Sequence, residues 1–247
     1  MLPDVSGATT LSVSPNYFEI QTAPGSSEAH RIGIYNTGKV PMTVRVYGGD
    51  FWYDAKGQRS FPSPGTSPFS AATWLSLPSE PVVVAPGSHQ EISVILAVPK
   101  PAPKSAYATV FVEQLAASEA KTLGVSLRIA VPILYQSPGT EIESLSLKEM
   151  NVQEPTKFQP LVVKFQLENT DETYVFPKGT VMVMKQPGPQ LVAKNELEGT
   201  RVVLPKQSLS FEVPLTVEAT SGAYEGLLTL FYGKDKHIVR KFGFSIP

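Results

Sequence analysis

The chain contains no cysteine. That excludes disulfides, thiolate catalysis and cysteine-ligated metal, yet assigns no compartment, because exported domains also fold without bridges. Histidine is scarce too: His30, His89 and His237 are the three present, and none stands at HxxxH or HxH spacing, so the sequence carries no metal-ligand signature. A GxSxG elbow, a Walker-type GxxxxGK loop and a GxGxxG turn are all missing, which leaves no nucleophile elbow and no phosphate cradle. The 21 basic and 22 acidic side chains sum to a net charge of -1. Without a dense Lys/Arg run there is no field to attract nucleic acid or anionic lipid. No apolar run is long enough to span a bilayer, and the opening Met1-Leu2-Pro3-Asp4 lacks the basic and apolar regions of a signal peptide. The expectation is a mature chain whose export signal has been removed, with no enzymatic activity, cofactor, metal or small-molecule substrate.

What the chain does have is 23 prolines and 18 glycines, placed mostly between short segments rich in Val, Ile, Leu, Phe and Tyr. β-Sandwiches punctuate their strands in this way, and helical periodicity is nearly absent. The length and the 42% hydrophobic content allow two domains with cores of their own. The first half gives candidate strands near Thr10–Ile20, Ala29–Asn36, Met42–Asp50, Glu91–Val98, Ala106–Leu115 and Leu123–Leu134, with shorter ones around Trp74 and Val83. The second half gives Ile142–Met150, Leu161–Glu168, Val181–Lys185, Arg201–Leu204, Leu209–Val217, Gly222–Tyr232 and Ile238–Ile246. A weak repeat links the halves. Ile34-Tyr35-Asn36-Thr37, then Val82-Val83-Val84-Ala85-Pro86, then Ala106-Tyr107 recur as Leu167-Glu168-Asn169-Thr170, Val202-Val203-Leu204-Pro205 and Ala223-Tyr224. A Pro/Gly-rich insertion lies between Phe51 and Trp74, and Ser137-Pro138-Gly139 marks a linker. The division is therefore 1–136 and 137–247, each an all-β sandwich.

The strand before the linker sets Val125, Leu127, Ile129, Val131 and Ile133 at two-residue spacing, one uniformly apolar face. Its cover is either the domain's own core or a partner's groove. Arg128 lies on the opposite face and Arg31 in another strand pattern. If those strands share a sheet, the two guanidinium groups form an anion or carboxylate site. Phe51-Trp52-Tyr53, flanked by Asp50 and Asp54, reads either as a sugar platform or as a strand end packed on the insertion, and the second reading is favoured. Trp74 reads as a core anchor.

Several short motifs resemble the periplasmic pilus-assembly chaperones, the PapD-like family, over almost the full length. They are Leu11-Ser12-Val13-Ser14-Pro15, Tyr35-Asn36-Thr37-Gly38, Ser70-Ala71-Ala72-Thr73-Trp74-Leu75, Ala85-Pro86-Gly87, Ala106-Tyr107-Ala108 and Arg128-Ile129-Ala130-Val131-Pro132-Ile133-Leu134-Tyr135. The resemblance implies two immunoglobulin-like domains set as a boomerang, in the periplasm. It also implies that the last strand of the first domain, 123–134, is lent to a pilus or fimbrial subunit lacking its own final strand, with an outer-membrane usher as second partner. Burying Val125, Leu127, Ile129, Val131 and Ile133 in that subunit would contribute on the order of 5 to 10 kcal/mol before association costs. The basic residues with which the family holds the subunit's terminal carboxylate are replaced here, by Ser14-Pro15-Asn16 in the first strand and Pro132 in the lent strand. Arg128 is the nearest substitute. The alternative reading is a two-domain envelope or cell-surface interaction protein whose closing strand packs internally.

Overall fold

The computed structural model describes residues 11–54, 57–115, 127–156, 158–188, 190–217 and 220–246. Two compact units result: residues 1–52 with 60–138, and residues 53–59 with 139–247. In chain order the strands of the first half are β1 Leu11–Ser14, β2 Phe18–Ile20, β3 Ser27–Asn36, β4 Met42–Gly49, β5 Trp52–Tyr53, β6 Arg59–Ser60, β7 Leu75–Ser76, β8 Val82–Val84, β9 His89–Ala97, β10 Ser105–Gln114 and β11 Arg128–Gln136. Those of the second are β12 Leu145–Gln153, β13 Leu161–Asn169, β14 Lys178–Lys185, β15 Gln190–Glu198, β16 Ser208–Leu215, β17 Gly222–Tyr232 and β18 Lys236–Ile246. The described residues contain one 3-10 turn, Ala72–Trp74, and no α-helix.

Each unit is a sandwich of two sheets. In the first, β1-β3-β9-β7 faces β2-β11-β10-β4-β8; in the second, β12-β13-β16 faces β15-β14-β17-β18. Strict alternation produces both cores. On β9, Ile92, Val94 and Leu96 point inward between exposed neighbours, and on β16 Leu209, Phe211, Val213 and Leu215 do the same. The triplet β4-β10-β11 recurs as β14-β17-β18, and the pair β3-β9 as β13-β16, so one immunoglobulin-like plan is used twice.

The repeated asparagines show why. Asn36 ends β3, is buried, and donates from Nδ2 to the carbonyls of Val40 (2.8 Å) and Val84 (3.0 Å). Asn169 ends β13 and donates to Thr173 (2.7 Å) and Val203 (3.2 Å). Each side-chain oxygen accepts the N–H two residues on, from Gly38 and from Asp171, an Asx turn that reverses the chain. The repeated tyrosines differ: Tyr224 lies in the second core, whereas Tyr107 lies on the outer face of β10 with its hydroxyl 2.9 Å from Ser67 Oγ.

Three strand expectations change. Thr10–Ile20 is not one strand: β1 pairs with β3, the ladder stops at Pro15, which has no N–H to give, and β2 then joins the opposite sheet beside β11. Arg201–Leu204 reduces to a single bridge between Val203 and Val175. β15, rich in Lys, Asn and Glu, was not expected at all.

Candidate functional site

β11 is bounded differently along its two halves. Downstream, β2 runs parallel to it and pairs Phe18, Glu19 and Ile20 with Ile133, Leu134 and Tyr135. Upstream, over Arg128–Pro132, no described strand lies on the edge opposite β10. The Gln114 N–H donates to the Leu127 carbonyl at 2.8 Å. By backbone alternation, odd-numbered residues of this strand therefore bond to β10, and Arg128, Ala130 and Pro132 direct their main-chain groups to the open edge. Pro132 sits where its missing N–H breaks no bond within the sheet.

The apolar stripe divides in the same way. Val131 and Ile133 are fully buried members of the first domain's own core. Leu127 and Ile129 are half-buried against that core, and Val125 lies outside the described residues. This corrects the expectation of five side chains available to a partner, because Val131 and Ile133 cannot leave without opening the sandwich. The half-exposed pair has about 1 kcal/mol each left to give on further burial.

The outer face of this sheet is also covered. Phe51, Tyr107, Phe111 and Leu134 are buried there, under the insertion: the Phe51 ring packs edge-on to Tyr107 at 5.3 Å and Phe61 to Phe111 at 5.1 Å. Buried Asp50 holds the insertion in place by accepting the N–H groups of Thr66 and Ser67 and the Ser70 hydroxyl. The aromatic run after Asp50 thus begins as packing, with Phe51 fully buried. Trp74 packs against the core, edge-on to Tyr135 at 5.7 Å.

Arg128 emerges on this outer face. Its guanidinium lies over the Phe111 ring at 4.6 Å and near Phe61 at 5.5 Å, with the Tyr47 hydroxyl at 3.5 Å. Next to it, Glu113 accepts from Arg45 at 2.8 Å. The Arg45 hydrogen bond holds the Glu113 carboxyl below the usual carboxylate range, assisted by Tyr47 and by the charges of Arg45 and Arg128. Arg45, Glu113 and Arg128 are cross-strand neighbours in one row. Arg31 is elsewhere, exposed on β3 and paired with Glu91 at 2.7 Å. The condition for a shared anion site, that the strands of Arg31 and Arg128 lie in one sheet, is not met. β3 and β11 belong to opposite sheets, and each arginine points away from the sandwich interior. Among the described residues no cluster of three or more His, Asp or Glu stands ready to hold a metal.

No family model and no curated protein matches the sequence. Among solved structures, the chain is similar to the CsuC–CsuE chaperone–tip adhesion subunit pre-assembly complex from archaic chaperone-usher Csu pili of Acinetobacter baumannii, at 13% identity over 94% of this chain and 98% of that one, with a TM-score of 0.48. It is similar to the class 5 fimbriae chaperone CfaA, at 14% identity over 94% and 98%, TM-score 0.46. It is likewise similar to the E. coli chaperone DraB, at 9% identity over 95% and 97%, TM-score 0.45.

Proposed function

We propose that the chain is a periplasmic chaperone for pilus or fimbrial assembly. It caps an incomplete immunoglobulin-like subunit by lending it the upstream part of strand 123–134, before transfer to an outer-membrane usher. The observation that carries this reading is the edge at Arg128–Pro132, which no described strand occupies and which carries half-buried Leu127 and Ile129 at its start, in a sheet whose downstream half is already closed by β2. A subunit lacking a strand exposes core and unpaired backbone, and a lent edge satisfies both. Val125, Leu127 and Ile129 form the apolar contact, while Val131 and Ile133 anchor the strand in the chaperone. Arg128, stacked on Phe111, keeps in-plane N–H groups for a carboxylate.

The test is periplasmic expression in the native host, followed by mass spectrometry of what co-purifies. A small pilin-like subunit at equal stoichiometry is expected, and Ile129→Arg is expected to remain folded and lose it. The burial of Val131 and Ile133 favours a second reading, an envelope interaction protein that donates no strand. Purification alone or on cell-wall material, with Ile129→Arg unfolding the domain, would select it.

A further inference from the structure

The last strand of the second sandwich, β18, stands where β11 stands in the first, and no described strand closes its edge. β12 stays paired with β13 from Leu145 to Gln153 and never crosses to the other sheet as β2 does. Among the described residues nothing pairs with β18 on the side away from β17, over an eleven-residue span. Its inner face carries apolar side chains of one parity, as β11 does: Ile238, Phe242, Phe244 and Ile246 all pack on the core. Gly226 makes room for this stripe, since a Cβ there would sit 1.9 Å from the Phe242 ring. Such an edge is a template for another strand.

One residue interrupts the stripe. Arg240 has the parity of Ile238 and Phe242, and it stands directly opposite Leu228, which is fully buried in the core. When the central strands are aligned on their buried valines, Val44 and Val46 with Val181 and Val183, Arg240 takes the position of Leu127. The neighbouring cations are turned elsewhere. Lys241 meets Glu225 at 3.3 Å, and Lys236 reaches the carbonyls of Ile142 and Glu143 at 3.2 Å. Among the described residues no carboxylate pairs with Arg240. A strand added to β18 would desolvate this guanidinium at the middle of the stripe and leave it unpaired.

We propose that Arg240 is a gatekeeper that prevents β18 from pairing with the β18 edge of a second copy of this chain, so that only the first domain presents a usable apolar edge. It does with charge what β2 does by occupying the edge of β11. The inference does not depend on strand donation by β11.

The test is sedimentation velocity on the full chain over a concentration series, comparing wild type, Arg240→Ile and Arg240→Lys. Arg240→Ile is expected to self-associate at a concentration at least about tenfold below wild type, with β18 amides newly protected from hydrogen exchange. Arg240→Lys is expected to match wild type. A wild-type distribution for Arg240→Ile, or association that leaves β18 amides unprotected, would overturn the proposal. Where Arg240→Ile does not fold, Arg240→Thr, β-branched and uncharged, decides by the same two readings.

Discussion

Asn36 and Asn169 do the same work in two sandwiches: each joins the strand it ends to a carbonyl four residues on and to one on the segment before a proline. Both are buried, so removing the amide strands two carbonyls away from water. Asn36→Ala and Asn169→Ala are each expected to destabilise their own domain by about 2–4 kcal/mol. Asn→Asp should cost no less, since a carboxylate offers neither carbonyl a donor. Urea unfolding followed by domain-specific amide signals checks both.

Asp50 gives a second prediction. It is fully buried, and its carboxylate accepts from the Thr66 and Ser67 N–H groups and the Ser70 hydroxyl. Asp50→Ala leaves these donors without their acceptor, at a cost of about 1–3 kcal/mol. The insertion should loosen before the sandwich does. Hydrogen exchange at Thr66 and Ser67 is expected to accelerate more than exchange at Val110 in β10.

The alternation of β9, β16 and the stripe was legible because side-chain parity is local, and the repeated asparagines were legible because an Asx turn needs that residue. The division of the stripe was not. Val131 and Ile129 look alike in sequence and both lie on the stretch that β2 does not reach; how deeply each packs, and where β2 closes the edge at Ile133–Tyr135 after the sheet switch at Pro15, are set by long-range pairing that a continuous pattern from Leu11 to Ile20 conceals. Arg128 and Arg31 met the same limit, because membership of a sheet is set by long-range pairing. Arg240 could have been noticed, as a charge at an apolar parity position, but its meaning depends on β18 being an edge.

The Glu113 carboxyl should titrate below the ordinary glutamate range, held down first by the Arg45 hydrogen bond. A depressed folded-state value means that this contribution to stability is present above the unfolded-state pKa and lost as pH falls through the folded one. Carbon-detected NMR titration checks the direction. In Arg45→Gln the titration is expected to move back up, and in 1 M salt the difference between the two proteins should shrink, because the pair is partly exposed.

Gly49 and Phe111 supply the last prediction. A Cβ on Gly49 would lie 2.6 Å from Phe111 Cε2, and the same ring is packed against Arg128 and Phe61. The backbone at Gly49 is not in the left-handed region, so alanine meets no φ penalty there and would by itself stabilise by about 0.4–1 kcal/mol through the unfolded chain. Displacing a packed ring costs about 1–3 kcal/mol, and that cost wins. Gly49→Ala is therefore expected to destabilise the wild type. In a Phe111→Leu background, where no ring opposes the methyl, the same substitution should be neutral or stabilising. The double-mutant cycle in urea reads the difference, and equal costs in both backgrounds would show that the ring is not what requires glycine.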